Sequence, residues 1–114
     1  MAKKYRVPAQ VRRIAREAIE YNMSRPKSQR AALNPEGGPG TGMRTARRLA
    51  SGSIDIAQAK LMRAWFARHG ASDKETKARQ DQTSKAAIAW ALWGGSPARR
   101  WVNSLVRDYE RDND

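Results

Sequence analysis

Apolar residues along the chain recur mostly at helical spacing, and glycine or proline breaks the pattern at intervals. Pro8 suits a helix start, and over 8–23 Val11, Ile14, Ala15, Ala18 and Tyr21 share one stripe. Pro26 stops that period, and 28–33 has room for one further helical turn. The run from Asn34 to Gly42 holds Pro35, Gly37, Gly38, Pro39, Gly40 and Gly42 and reads as a flexible loop. A helix over 43–51 follows, with Thr41 or Gly42 near its cap. Met43, Ala46, Leu49 and Ala50 form its apolar edge, and Gly52 ends it.

Asp55 with Gln58 has capping-box spacing and predicts a helix from there to about Arg68. Its expected buried arc is Ala59, Leu61, Met62, Trp65 and Phe66. His69-Gly70 closes it, with cations where the helix dipole is negative. Residues 71–82 are polar and predict a surface loop with room for one helical turn. Thr83 or Ser84 then caps a segment apolar on all sides, Ala86 to Trp93, which belongs in the middle of a domain. Gly94-Gly95 ends it. Ser96-Pro97 offers a cap residue and a proline at the first position of a last helix. The apolar stripe of that helix is Ala98, Trp101, Val102, Leu105 and Tyr109.

No segment alternates as a strand does. The expected fold is all-α: a compact bundle of about five short helices around a buried helix at 84–93. One domain over 8–107 is expected, with a basic mobile arm at 1–7, a flexible loop at 34–42 and an acidic tail at 108–114. A chain of 114 residues can build one modest core.

Charge adds the next constraint. Lys and Arg number 23 against 11 acids, a net +12. Residues 1–51 hold 12 bases and 3 acids, while Arg107 to Asp114 hold 2 bases and 4 acids. Such a field attracts polyanions: nucleic acid or an acidic protein face. Arg12 and Arg16 stand one above the other on the first helix, where an anion would relieve their repulsion. Arg13 shares their side, and Arg44, Arg47 and Arg48 line the outer face of the 43–51 helix. Lys3, Lys4 and Arg6 fall on the arm. Arg99 lies on the polar face of the last helix, near Trp93.

Several chemistries are disfavoured. Cys is absent and His69 is the one histidine, which excludes disulfide frameworks, cysteine nucleophiles and multi-histidine metal centres. No cofactor, metal or catalytic residue is expected. The glycines at 37–42 precede a helix, but no Gly-Lys-Ser/Thr follows, so a nucleotide P-loop is unsupported. Trp65, Trp90, Trp93 and Trp101 fall on apolar positions and read as core, with Trp93 the least secure of them. A helix-turn-helix over 43–68 fails in detail, because Ser51, Ser53 and Gln58 would take apolar positions and Arg48 a small one. The longest apolar run, Ala86 to Trp93, is far short of the roughly 20 residues of a membrane span. The Met-Ala-Lys-Lys start lacks the apolar stretch of a secretory signal, so export by a signal peptide is not expected.

Three strings occur in order: Gly40-Thr41-Gly42-Met43-Arg44-Thr45-Ala46-Arg47-Arg48-Leu49-Ala50-Ser51-Gly52, Ala64-Trp65-Phe66-Ala67-Arg68-His69, and Ile88-Ala89-Trp90-Ala91-Leu92-Trp93-Gly94-Gly95-Ser96-Pro97-Ala98, with Trp101 after them. This order resembles a small module of uncharacterised tailed-phage proteins, standing alone or fused to head-assembly proteins such as prohead proteases. The resemblance spans about residues 9–105. It implies a phage origin and a helical domain, and it carries no activity over to particular residues.

The expected function is therefore a non-catalytic, phage-encoded helical protein that binds DNA through backbone phosphates. Little sequence reading is expected of it. Two alternatives use the same basic face. One is a virion component (minor capsid, connector or head-interior protein) docking on an acidic protein surface. The other is a host-takeover or anti-defence inhibitor of a host nucleic-acid enzyme.

Overall fold

The computed structural model describes residues 3–32 and 40–113. Most of the loop expected at 34–42 lies outside the described residues, as do Met1, Ala2 and Asp114.

Among the described residues, six α-helices carry the fold: α1 (Ala9–Ser24), α2 (Thr41–Ser51), α3 (Ile56–Gly70), α4 (Asp73–Ala78), α5 (Lys85–Leu92) and α6 (Gly95–Asp112). The all-α expectation holds. The sixth helix is the short α4, a turn within the polar 71–82 stretch. A 3-10 turn at Lys27–Gln29 takes the place of the extra helical turn expected over 28–33.

Local chemistry explains the helix ends. The Asp55 carboxylate accepts from the Gln58 N–H at 2.9 Å, and Ser84 Oγ accepts from the Ala87 N–H at 3.0 Å. Ser72 Oγ caps α4 through the Glu75 N–H. Gly52 stops α2 in the left-handed region at φ +106°. Ser96 departs from expectation. Its hydroxyl accepts from the Trp90 Nε1 at 3.3 Å, and α6 is already under way at Gly95.

The basic arm is a second departure. Tyr5–Arg6 (β1) pairs antiparallel with Ser53–Ile54 (β2), Tyr5 opposite Ile54 and Arg6 opposite Ser53. The Val7 N–H donates to the Gly52 carbonyl at 2.9 Å. Val7 is buried, and burying a valine stabilises by about 1.5–3 kcal/mol, which ties the arm down from Tyr5 onward. The acidic end is likewise not a separate tail, because α6 continues to Asp112 and packs on α3. Arg63 of α3 pairs with Glu110 at 2.8 Å, and this bond holds the Glu110 carboxyl below its ordinary pKa.

The core runs between α1, α2, α5 and α6, with α3 closing it from the side of α6. Val11, Ala15, Leu49, Leu92, Ala98, Val102 and Val106 are buried there. Gly94 sits where α1, α2 and α6 converge, at φ +100°. A methyl group there would lie 2.5 Å from the Ala98 Cβ and 2.9 Å from the Val11 Cγ1. Only glycine permits both that backbone and that approach.

Two stripe assignments shift. Tyr21 is 38% exposed, and Asn22 takes the buried position beside it. Its Nδ2 donates to the Ala31 carbonyl at 3.0 Å, and its Oδ1 accepts from the Ala31 N–H at 2.9 Å. One amide thus satisfies both backbone groups of Ala31. Leu61, expected in the buried arc of α3, is 59% exposed.

Candidate functional site

Among the described residues, a cleft of about 690 Å³ lies between α2, α3 and α5. From α2 come Thr41, Gly42, Arg44, Thr45 and Arg48; from α3 come Gln58, Leu61, Ala64, Trp65, Arg68 and His69. Glu75 and Arg79 close one end, and Ala86, Ala89, Trp90 and Trp93 supply the wall around α5. Helical spacing explains each contribution. Arg44 and Arg48 are one turn apart, and Leu61, Trp65 and Arg68 recur at i, i+4 and i+7.

Tryptophan dominates the apolar surface. Trp93 is buried and stacks on Trp65, ring centroids 4.6 Å apart and planes 9° apart. Trp65 also meets His69 at 4.4 Å and Trp90 at 5.9 Å. Trp65 and Trp90 remain half-buried, so the aromatic cluster belongs to the core and also borders the cleft. Trp93, the least secure of the four in sequence, is buried.

The polar surface is cationic. Four arginines and His69 face one carboxylate, Glu75, which bonds the His69 Nδ1 at 2.7 Å. Arg79 is fixed in place: its guanidinium lies 3.9 Å from the centre of the Trp90 ring and donates to the His69 carbonyl at 3.3 Å. It thereby also closes the carbonyl end of α3. Arg48 is held differently. Its Nη1 donates to the Gln58 Oε1 at 2.5 Å, and the Gln58 Nε2 donates to Thr45 Oγ1 at 3.4 Å. Gln58 is 5% exposed. A neutral, buried amide therefore orients Arg48 without neutralising it. Among the described residues, no salt bridge engages Arg44, Arg48, Arg68 or Arg79.

The lip of the cleft at α2 is tightly built. Gly40, which cannot cap with a side chain, precedes the first turn, and its N–H donates to the Ala32 carbonyl at 2.7 Å. A methyl group on Gly42 would lie 2.7 Å from the Ala32 Cβ and 3.3 Å from the Trp93 Nε1. Ala32 itself is held at φ +58°, the one non-glycine residue at positive φ among those described. A left-handed alanine costs roughly 1–2 kcal/mol, and the Asn22 bonds to the neighbouring Ala31 help fix it.

The residues expected from sequence divide into groups. Arg44 and Arg48 reach the cleft. Lys4 joins Arg48, Gln58 and Leu61 around an adjoining hollow of about 470 Å³. Arg47 is exposed on α2 but does not line the cleft. Arg12, Arg13 and Arg16 are exposed along α1, with the Arg12 guanidinium beside Gly52, and they too stand apart from the cleft. Lys3 lies 5.3 Å from the Tyr5 ring centre, and Arg6 is exposed on β1. Arg99 packs its guanidinium against Gly70 and lies 5.9 Å from the Trp90 ring centre, outside the cleft lining.

Sequence reasoning missed Arg68, Arg79, Thr45 and the cleft-facing side of Trp65 and Trp90. One usable signal existed. Thr45 and Gln58 interrupt otherwise apolar helix faces, which marks them as buried polar groups in need of partners. The three strings quoted above converge here, each contributing to the lining. No protein-family model, curated protein or solved structure matches the chain. Among the described residues, no helix is long and apolar enough to cross a membrane, and no group of three or more His, Asp or Glu residues could hold a metal ion.

Proposed function

We propose that this chain is a non-catalytic, phage-encoded helical protein that binds DNA through its backbone phosphates. The observation that carries the reading is the state of Arg48. Arg48 is exposed, and its guanidinium is oriented by a neutral glutamine rather than by a carboxylate, which leaves its charge for a phosphate. Arg44 stands one turn away on the same face, and Arg47 adds a third cation to α2. The phage origin rests on the resemblance of the three strings and on nothing else.

Binding of this kind draws its affinity from counterion release and falls steeply with salt. Phosphate contacts fix position and carry no sequence information, so unrelated duplexes should bind alike. The test is joint replacement of Arg44, Arg47 and Arg48 by glutamate, read by fluorescence anisotropy on labelled duplex DNA. Loss of most binding is the expected result. Unchanged affinity overturns the assignment of this face.

A further inference from the structure

We propose that the first turn of α2, at one end of the cleft, is a binding site for a phosphomonoester dianion, the group found at the 5′ end of a nucleic-acid strand and in free phosphate. This deepens the phosphate reading above and rests on it. It assigns this end of the cleft to a terminal phosphate rather than to an internal one.

Three observations meet at this turn. The first is its unclaimed donors. Gly40 stands at the N-cap and no side chain caps the helix. The backbone ladder of α2 starts with the Arg44 N–H, which donates to the Gly40 carbonyl at 3.1 Å. The N–H groups of Thr41, Gly42 and Met43 therefore have no partner within the helix.

The second is the Trp93 indole. Trp93 is 4% exposed and lines the cleft, and among the described residues no hydrogen bond engages its Nε1, whereas the Trp90 Nε1 donates to Ser96. Among those residues the Arg25 Nε is the one sealed side-chain nitrogen or oxygen without a partner, so the Trp93 N–H opens to the cleft. It opens beside the first turn, since a methyl group on Gly42 would lie 3.3 Å from it. The faces of this indole play no part, because one of them is stacked on Trp65.

The third is the sign of the charge. Arg44 turns back toward the start of its own helix, its Nη2 lying 3.5 Å from Thr41 Oγ1. The positive end of a helix dipole disfavours a cation, and the first turn holds no acidic residue. An anion bound there turns both interactions favourable.

The site thus offers backbone amides, an indole N–H and a guanidinium, which are all donors. A terminal phosphate matches them with three free oxygens and close to two charges near pH 7. An internal phosphodiester carries one charge and is tethered on both sides, which keeps it from a recess where Gly42 and Trp93 are buried. A protein carboxylate has one charge and fewer oxygens, and it leaves donors unmet.

The experiment uses the full chain. One short labelled duplex carries either a phosphate or a hydroxyl at its 5′ ends, and affinity is read by anisotropy. Inorganic phosphate is compared with chloride at equal ionic strength by thermal melting. The phosphorylated duplex should bind roughly 10-fold tighter, the worth of one charge-assisted hydrogen bond, and inorganic phosphate should raise the melting temperature above the chloride control. Two variants test the donors. Trp93→Phe deletes the N–H and keeps an aromatic ring. Thr41→Pro deletes a first-turn N–H and the hydroxyl at a helix position that tolerates proline, and Gly40 already has the extended backbone (φ −88°, ψ −172°) that a following proline needs. Each should bring the ratio of the two affinities several-fold closer to one, and a loss of folded protein does not move that ratio. A ratio unchanged in both variants overturns the assignment, because the advantage is then only that of added charge. A tighter phosphorylated duplex puts a strand end in the site, whereas a melting shift with equal duplex affinities makes free phosphate its ligand. Equal duplex affinities without a melting shift overturn the site and leave duplex binding standing. A melting shift without duplex binding keeps the site and overturns the DNA reading, and no response to any probe overturns both.

Discussion

Asn22 is the position whose removal tests the packing account most sharply. It is fully buried, and its amide makes two bonds of 3.0 and 2.9 Å to the backbone of Ala31. Asn22→Ala strands a buried carbonyl and a buried N–H at once, each costing about 1–3 kcal/mol when left unpaired. Ala31 lies on a bend and can relax partly toward water, so the expected loss is about 2–4 kcal/mol in total. A chain of 114 residues has roughly 6–17 kcal/mol of stability to draw on, so the variant folds but is clearly weakened. At about 2.1 cal/mol/K per residue of unfolding entropy, the melting temperature should drop by roughly 8–17 °C. Urea unfolding followed by tryptophan fluorescence gives the free energy directly, and Asn22→Leu fills the space without restoring the bonds. If Asn22→Ala costs under about 1 kcal/mol, or if Asn22→Leu recovers most of the loss, the bonds to Ala31 do not hold this bend and the reasoning fails.

Three further outcomes are expected. Gly94→Ala should destabilise by about 3 kcal/mol or more, since positive φ and two sub-3 Å contacts combine; Gly95→Ala, whose nearest neighbour is 3.5 Å away, should cost about half as much, and equal melting temperatures would contradict this. Gln58→Ala should weaken DNA binding several-fold while leaving its salt dependence intact, because the Arg48 charge remains; Arg48→Gln should instead lower the log–log salt slope by about 0.9, and a slope change in both would refute the orienting role of Gln58. The Thr83 hydroxyl and N–H hold the Asp81 carboxyl below its ordinary 3.8, so this turn contributes stability that is complete above that value and is lost as pH falls through the lowered pKa. Thr83→Val should raise the Asp81 pKa toward 3.8 in an NMR titration, and no movement would mean that the hydroxyl bond is absent in solution.

Helix ends were legible in the sequence because they are local. Asp55 and Ser84 cap within three residues of themselves, and Gly52 and Gly94 break their helices through their own φ. The docking of the arm was not legible, since a two-residue bridge is too short to show alternation and Val7 gives no sign of where it will pack. Hydropathy puts Tyr21 on the apolar stripe and gives no reason to bury Asn22, whose burial follows only once Ala31 comes round to meet the amide. Hydropathy places Leu61 in the core, whereas the fold leaves it exposed on the cleft lining. The cleft itself joins side chains from four helices. Arg44 and Arg48 could be singled out by charge, whereas Arg68 and Arg79 acquire their setting only from the fold.

The central claim is that the uncompensated arginines on α2 bind nucleic-acid phosphate. The most direct measurement is anisotropy of labelled double-stranded DNA against the whole protein over a salt series. The account predicts binding at low salt, similar affinity for unrelated sequences, and a log–log slope of about −0.9 per phosphate engaged, several units in all. Absence of binding at low salt, or affinity indifferent to salt, would contradict it and assign the charge to a protein partner instead.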